Sequence, residues 1–229
     1  MRIVAGEFKG RRLQAPKGQN TRPTTDRVRE SLMSALASAR GGFDGAVVLD
    51  AFAGSGALGL EALSRGAEVA HFFEKDGAAL RALAANVEAL GVPTLGPRAR
   101  ARLHRADVLE KPPAWVRPPF DLVLLDPPYA LPAERALGLV AALAAAGALA
   151  EGAIVSYEHA AAGNAAADAA APACGLSLAS RRKYGDTVVD LLKPSCGAAA
   201  ATPMPEEEQP SCGAPLQPLR PRKGSGTPL

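Results

Sequence analysis

Two short motifs in this chain combine carboxylates with residues that shape the backbone, and each is suited to chemistry. The first spans residues 50–59, DAFAGSGALG, where a glycine-rich loop follows a short apolar run. Glycines let the backbone approach a ligand closely, and Glu74, which follows Gly54 by 20 residues, can accept hydrogen bonds from both hydroxyls of a ribose. The pattern is compatible with a nicotinamide dinucleotide site, an S-adenosylmethionine (SAM) site or a tight turn without a ligand.

Asp50 favours SAM among these alternatives. A carboxylate just before the loop repels a pyrophosphate, but it suits the cationic amino and sulfonium groups of SAM. Asp107 follows a later predicted strand, where it can accept a hydrogen bond from an adenine amino group or cap a helix. The candidate cofactor-binding residues are Asp50, Phe52, Gly54, Ser55, Gly56, Glu74 and Asp107.

The second motif, which we call the target ridge, consists of Asp126, Pro127, Pro128 and Tyr129. The two prolines fix the backbone and remove two N–H donors, so the Asp126 carboxylate and the Pro127 carbonyl remain as acceptors. Two acceptors are what an exocyclic amino group needs, and Tyr129 can stack on a base that has left its helix. These four residues are the candidate catalytic residues for methyl transfer to an aromatic amine.

Apolar runs and glycine or proline breaks predict strands that alternate with helices, and therefore an α/β fold with a mostly parallel sheet. A first helix begins near residue 26 and ends at Gly41. Residues 160–173 are low in complexity and predict either a poor helix or a loop, and a closing antiparallel hairpin follows over 176–192. The predicted strands span 46–50, 68–74, 102–106, 120–126 and 152–158, and the further helices span 58–64, 76–90 and 132–148.

Positive charge is concentrated at the start of the chain. Residues 1–45 carry nine Lys or Arg and four Asp or Glu, whereas residues 46–194 have a net charge of −2. A basic N-terminal arm of this kind suits contact with a phosphate backbone, although it is also compatible with a solvated face. The candidate RNA contacts are Lys9, Arg11, Arg12, Arg22, Arg27 and Arg29.

Composition excludes several other classes. The three cysteines form no CxxC motif, so a disulfide scaffold or a structural zinc site is not expected, and we predict no metal. The first residues lack the apolar core of a signal peptide, and no apolar run reaches the length of a membrane span. We therefore expect a cytoplasmic monomer that does not associate with membranes. Its predicted parts are a basic arm and helix over 1–45, a catalytic domain over 46–194 and a disordered Pro/Gly/Ser-rich tail over 195–229.

Four collinear segments of the chain resemble the bacterial 16S ribosomal RNA guanine-N2 methyltransferases of the RsmD type. These segments are RPTTDRVRESL (22–32), LDAFAGSGALGLEALSRGA (49–67), FDLVLLDPPYA (120–130) and YGDTVVDLL (184–192). The resemblance implies a class I SAM-dependent (Rossmann-like) fold and, as substrate, a hairpin-loop guanine of the small ribosomal subunit. It also implies that Asp50, Gly54, Gly56 and Glu74 bind SAM and that Asp107 contacts adenine.

By the same resemblance, the target ridge holds guanine N2, and residues 6–13 and 22–29 cover the cofactor and grip RNA. Three other functions remain open at this stage. A DNA adenine-N6 methyltransferase uses the same kind of ridge, a nicotinamide oxidoreductase explains the glycines alone, and a non-catalytic RNA-binding assembly factor explains the basic arm.

Overall fold

A seven-stranded sheet with helices on both faces forms the body of the protein. The computed structural model describes residues 1–15 and 26–195. The strands are β1 (Val47–Asp50), β2 (Val69–Glu74), β3 (Ala101–Arg105), β4 (Phe120–Leu125), β5 (Leu149–Ala160), β6 (Leu176–Tyr184) and β7 (Thr187–Pro194). The helices are α1 (Asp26–Arg40), α2 (Ala57–Ser64), α3 (Gly77–Leu90), α4 (Ala133–Ala145) and α5 (Asn164–Ala173), with a short 3-10 turn at Ala161–Gly163 before α5.

The strand order β3-β2-β1-β4-β5-β7-β6 places the two sequence motifs side by side. Strands β1 to β5 are parallel, and β7 pairs antiparallel with both β5 and β6. Chain order reverses between β1 and β4, where Asp50 pairs with Leu124. Ligands of open parallel sheets bind beyond the carboxyl ends of the strands at such a switch point. The glycine loop after β1 and the target ridge after β4 therefore open onto one crevice.

Burial on both faces explains why β1 and β4 are continuous apolar runs rather than alternating ones. Val48, Leu122 and Leu124 pack with α1, α2 and α3 on one face of the sheet. Leu49 and Val123 pack with α4 and α5 on the other face. Alternate side chains of these two strands therefore contribute to two separate apolar layers, one on each face of the sheet.

The N-terminal residues pack against the body of the protein. Ile3, Phe8 and Leu13 are buried in the same cluster as the apolar side of α1. The backbone N–H groups of Val4 and Ala5 donate to the two carboxylate oxygens of the buried Glu61 on α2. The arm is therefore attached to the sheet domain through its apolar residues, and the division of the chain at residue 45 stays a prediction.

The structure confirms the predicted α/β fold with its antiparallel hairpin, and it decides one open point. Residues 164–173 form a helix, because Ala167, Ala170 and Ala171 lie on one side and are buried near α4. Strand β5 is also longer than the predicted 152–158. Among the described helices, none combines the length and apolar character that crossing a bilayer requires. The predicted tail beyond Ser195 lies outside the described residues.

Candidate active site

Two glycines of the loop between β1 and α2, Gly54 and Gly56, have different roles. Both adopt a left-handed backbone, with φ of 55° at Gly54 and 81° at Gly56. A Cβ added at Gly56 would lie 2.3 Å from Cδ1 of Leu83, whereas one added at Gly54 would meet nothing within 4 Å. Gly56 is therefore required by the packing of α3, and Gly54 leaves open space in which a ligand can approach the backbone.

Glu74 holds the glycine loop in place from the end of β2. One carboxylate oxygen accepts a hydrogen bond of 2.8 Å from the Gly54 N–H, and the other accepts one of 2.7 Å from the Asp76 N–H. The side chain is only partly buried, so a ligand can still reach it. The loop thus has a fixed shape before any ligand is bound.

Asp50 is a buried carboxylate beneath the same loop. It is 1% exposed, and its Oδ2 accepts a hydrogen bond of 2.9 Å from the Gly59 N–H in the first turn of α2. Burial raises the pKa of Asp50 to about 7, and the negative charges of Asp126 and Glu74 act in the same direction. A carboxylate in this position gains stability from a cation placed beside it.

Asn86 links the loop to the N-terminal arm and is not among the site residues that the sequence predicts. Its side-chain amide donates to the Ser55 carbonyl at 2.9 Å and to the Gln14 carbonyl at 3.0 Å, and its oxygen accepts from the Gln14 N–H at 2.7 Å. The available signal was a polar residue on the otherwise apolar side of α3, where Leu83, Val87 and Asn86 are all buried. Asn86 therefore makes the loop depend on the position of the arm.

The target ridge leaves the end of β4 beside Asp50. Asp126 is partly exposed, and desolvation by the surrounding protein raises its pKa to about 6. The turn is closed by a hydrogen bond of 2.8 Å from the Leu131 N–H to the Pro128 carbonyl. The Tyr129 ring is 49% exposed, and its hydroxyl lies 2.8 Å from the Thr187 hydroxyl. Carboxylate, prolines and an accessible aromatic ring thus follow one another along the rim of the crevice.

Three other predicted cofactor residues lie near this edge with defined partners. Phe52 is partly buried against the core beneath α4, and Ser55 is buried with its hydroxyl directed at the Met1 sulfur. One oxygen of Asp107 pairs with Lys75 at 2.9 Å, and the other accepts from the Leu109 N–H at 3.1 Å. The Lys75 ammonium lowers the pKa of Asp107. A contact between Asp107 and adenine stays a prediction.

The prediction that Arg29 contacts RNA is wrong. Its side chain is buried at 0% exposure, pairs with Asp26 at 2.7 Å and Glu61 at 3.7 Å, and donates to the Arg2 carbonyl. Arg29 precedes Leu32, Met33 and Leu36 by three, four and seven residues, so it shares their buried side of α1. That spacing in the sequence favours burial, whereas the prediction of RNA contact rests on the positive charge alone.

The remaining basic candidates that the structure describes are exposed. Lys9 and Arg27 line a groove of about 480 Å³ between the arm and α1, together with Arg2, Asp26 and Glu30. Arg12 is exposed, and the exposed Arg11 donates a hydrogen bond to the Ala89 carbonyl at the end of α3. Arg22 lies outside the described residues. The described part of the chain contains no group of three or more His, Cys, Asp or Glu side chains placed to hold a metal ion.

Solved structures with the same architecture place the fold in a known class. The Escherichia coli protein yhhF superposes with a TM-score of 0.66 at 30% identity, over 85% of this chain and 98% of that one. A hypothetical protein of Thermus thermophilus gives 0.62 at 30% identity, over 83% and 98%. The ribosomal protein L11 methylase of Lactobacillus delbrueckii shares the fold, with 0.56 at 17% identity over 73% and 79%. The fold is that of the class I methyltransferases, a class that implies SAM as the methyl donor.

Sequence comparison then gives the family. The model of Conserved hypothetical protein 95 matches residues 1–193, and the chain belongs to this family. Ribosomal RNA small subunit methyltransferase D of Escherichia coli K12 is 40% identical over 129 residues, which cover 56% of this chain and 60% of that protein. The protein of the same name from Haemophilus influenzae is 37% identical over 141 residues, covering 61% of this chain and 70% of that protein.

Proposed function

We propose that the protein transfers a methyl group from SAM to the exocyclic N2 of one guanine in 16S rRNA of the small ribosomal subunit. The observation that carries the proposal is the target ridge, which ends β4 beside Asp50 and the glycine loop. The names of the relatives support ribosomal RNA as the substrate. We propose further that the enzyme acts as a cytoplasmic monomer without a metal ion.

The residues after β1 and β2 fit the proposed cofactor. The backbone at Gly54 borders open space that a ligand can enter. The Glu74 carboxylate at the end of β2 can accept hydrogen bonds from ribose hydroxyls. Asp50 is a buried anion that lacks a cation among its described partners, and its pKa of about 7 reflects that cost. SAM, when bound, supplies a methyl group on a positively charged sulfur, whose charge Asp50 favours.

The target ridge supplies acceptors in fixed positions for an amino group. Asp126 and the Pro127 carbonyl can each accept one N–H of guanine N2, which directs the nitrogen lone pair away from them. Such orientation, together with acceptors arranged before the reaction, is a major source of catalysis for a poor nucleophile. After methylation the nitrogen is acidic, and Asp126 can take its proton, helped by a pKa raised to about 6.

The surroundings of the ridge suit a single nucleotide that has left its stack. Tyr129 offers an exposed ring, and base stacking on an aromatic side chain contributes about 1–3 kcal/mol. Lys9, Arg11, Arg12 and Arg27 lie exposed on the arm side, where they can contact phosphates. The positive charges for the RNA backbone and the hydrogen-bond acceptors for the base are thus provided by different elements.

The test is methyl transfer from labelled SAM to 16S rRNA, small subunits and DNA, followed by nucleoside analysis. We expect N2-methylguanine in ribosomal RNA. Label in N6-methyladenine or only in DNA would replace this function with the DNA methyltransferase alternative, and no label with SAM-binding protein would favour an assembly factor. Asp126→Ala should abolish transfer while SAM affinity, measured by calorimetry, persists. Glu151→Ala, an exposed carboxylate on β5, is the matched control.

A further inference from the structure

The aromatic ring of the target ridge is held from a distant part of the chain. The Tyr129 hydroxyl lies 2.8 Å from the Thr187 hydroxyl, across 58 residues of sequence. Thr187 is the first residue of β7 and pairs with Ala160 at the end of β5. The partner of Tyr129 is therefore part of the sheet and not of a neighbouring loop.

The turn that presents Thr187 is itself anchored to α1. We call residues 184–187 the hairpin tip. The Tyr184 hydroxyl lies 2.5 Å from the Ser31 hydroxyl, and Arg182 donates to the same hydroxyl at 3.3 Å. One hydrogen bond thus links the hairpin tip to α1, and another links it to Tyr129 of the target ridge.

An exposed tyrosine has several rotamers available in solution, and a stacking partner must select one of them. Immobilising such a side chain costs binding free energy that corresponds to about a 2- to 10-fold loss in affinity. A hydrogen bond already made in the free protein removes most of this cost, because the ring is held before the base arrives. The Thr187 hydroxyl is placed to make that bond.

We propose that Thr187 is a positioning residue that holds the Tyr129 ring in the orientation in which the target base stacks. The inference rests on the proposed function for the identity of the base, and it deepens that function by giving the closing hairpin a part in target recognition. Thr187 touches neither the amino group nor the cofactor in this assignment, and it acts only through Tyr129.

Four variants test the assignment in the full-length protein. Thr187→Val and Tyr129→Phe each remove one hydroxyl and keep the shape, and each should lower kcat/KM for the RNA about 2- to 10-fold with unchanged SAM affinity. The double variant should be no worse than either single one, because both remove the same bond. Thr187→Ser should restore wild-type values. The matched control is Ser177→Ala, which removes a hairpin hydroxyl that donates to the Lys193 carbonyl at 3.3 Å.

A second measurement does not depend on activity. The chain has three tyrosines, so fluorotyrosine labelling gives three ¹⁹F signals, which single Tyr→Phe variants assign. The Tyr129 signal should move in Thr187→Val and stay in place in Thr187→Ser and Ser177→Ala. An unmoved signal, additive effects in the double variant, or wild-type kinetics of Thr187→Val would each overturn the assignment. If the wild-type protein transfers no methyl group to RNA but the signal moves, the proposed function fails while the hydrogen bond stands.

Discussion

Replacing Asp50 by Asn should make the free protein more stable at pH 8 while it removes affinity for SAM. The pKa of Asp50 is raised from 3.8 to about 7, first by burial and then by the charges of Asp126 and Glu74. A change of that size corresponds to about 4 kcal/mol of unfavourable free energy when the carboxylate is ionised in the folded protein. An amide keeps the acceptor for the Gly59 N–H and carries no charge.

The sign of the pH dependence follows from the direction of the shift. Between about pH 4 and pH 7 the folded protein binds more protons than the unfolded chain at this site, so the wild-type free energy of unfolding falls as pH rises. The Asn variant lacks this part of the decline. Because a buried amide has its own desolvation cost, we expect about half of the maximum, roughly 2 kcal/mol, to be gained at pH 8. For a chain of this size that gain raises Tm by about 4–8 °C.

Urea unfolding at pH 5 and pH 8, with and without SAM, measures these effects. The wild-type protein should be stabilised by SAM, and Asp50→Asn should be insensitive to it. Glu151→Gln, at an exposed position of β5, controls for the loss of a carboxylate as such. Equal pH slopes for wild type and Asp50→Asn, or a variant less stable than wild type at pH 8, would refute the reasoning.

Individual contacts give three further predictions. The kcat of methyl transfer should rise between about pH 5 and pH 7, because Asp126 must lose its proton and has a pKa of about 6. A kcat that does not change with pH would show that Asp126 takes no part in the reaction. Gly56→Ala should lower the free energy of unfolding by about 3 kcal/mol, because the added Cβ would clash with Leu83. Gly54→Ala should lower it by only about 1 kcal/mol and should chiefly weaken SAM binding, measured by calorimetry. Equal stability losses in the two variants would contradict this difference. Arg29→Met should lower the free energy of unfolding, measured in urea, by about 3 kcal/mol, because Arg29 is buried with its ion-pair partners. Arg27→Gln should leave this free energy unchanged and weaken RNA binding in a filter assay. The reverse pattern would contradict the burial of Arg29.

The central part of the fold was predictable because its signals are local. β1 and β4 are buried on both faces, so each is a short apolar run, and each ends in a motif that a parallel sheet directs to one edge. The alanine-rich residues 164–173 gave no such signal. Their composition suits a helix or a loop, and burial beside α4 selects the helix. Tertiary packing thus decided the element where local preference was weak.

Candidate site residues were predictable from the sequence where they lie within one of the two short motifs or, like Glu74, at a characteristic spacing from one. Gly54, Gly56 and the target ridge carry their geometry in their residue types. Asn86 and Thr187 act through hydrogen bonds to Gln14 and Tyr129, across 72 and 58 residues, and no local pattern indicates such pairs. For Arg29 a local signal is present, because its helical spacing indicates burial. The prediction of RNA contact followed the charge of Arg29 instead and is therefore wrong.

The ends of the parallel strands explain why a base, and not the phosphate backbone, is expected in the crevice. Three neighbouring strands, in the order β2, β1 and β4, end in or are followed by the carboxylates Glu74, Asp50 and Asp126, and Glu158 lies two residues before the end of β5, the next strand. The pairing of Leu125 with Tyr157 brings the last two into adjacent positions. Such an edge repels phosphates and attracts a sulfonium or an amino group that becomes positive. The exposed basic candidates Lys9, Arg11, Arg12 and Arg27 lie on the arm side. In the proposed function, an RNA held there by its phosphates therefore turns one nucleotide inward for its amino group to reach Asp126.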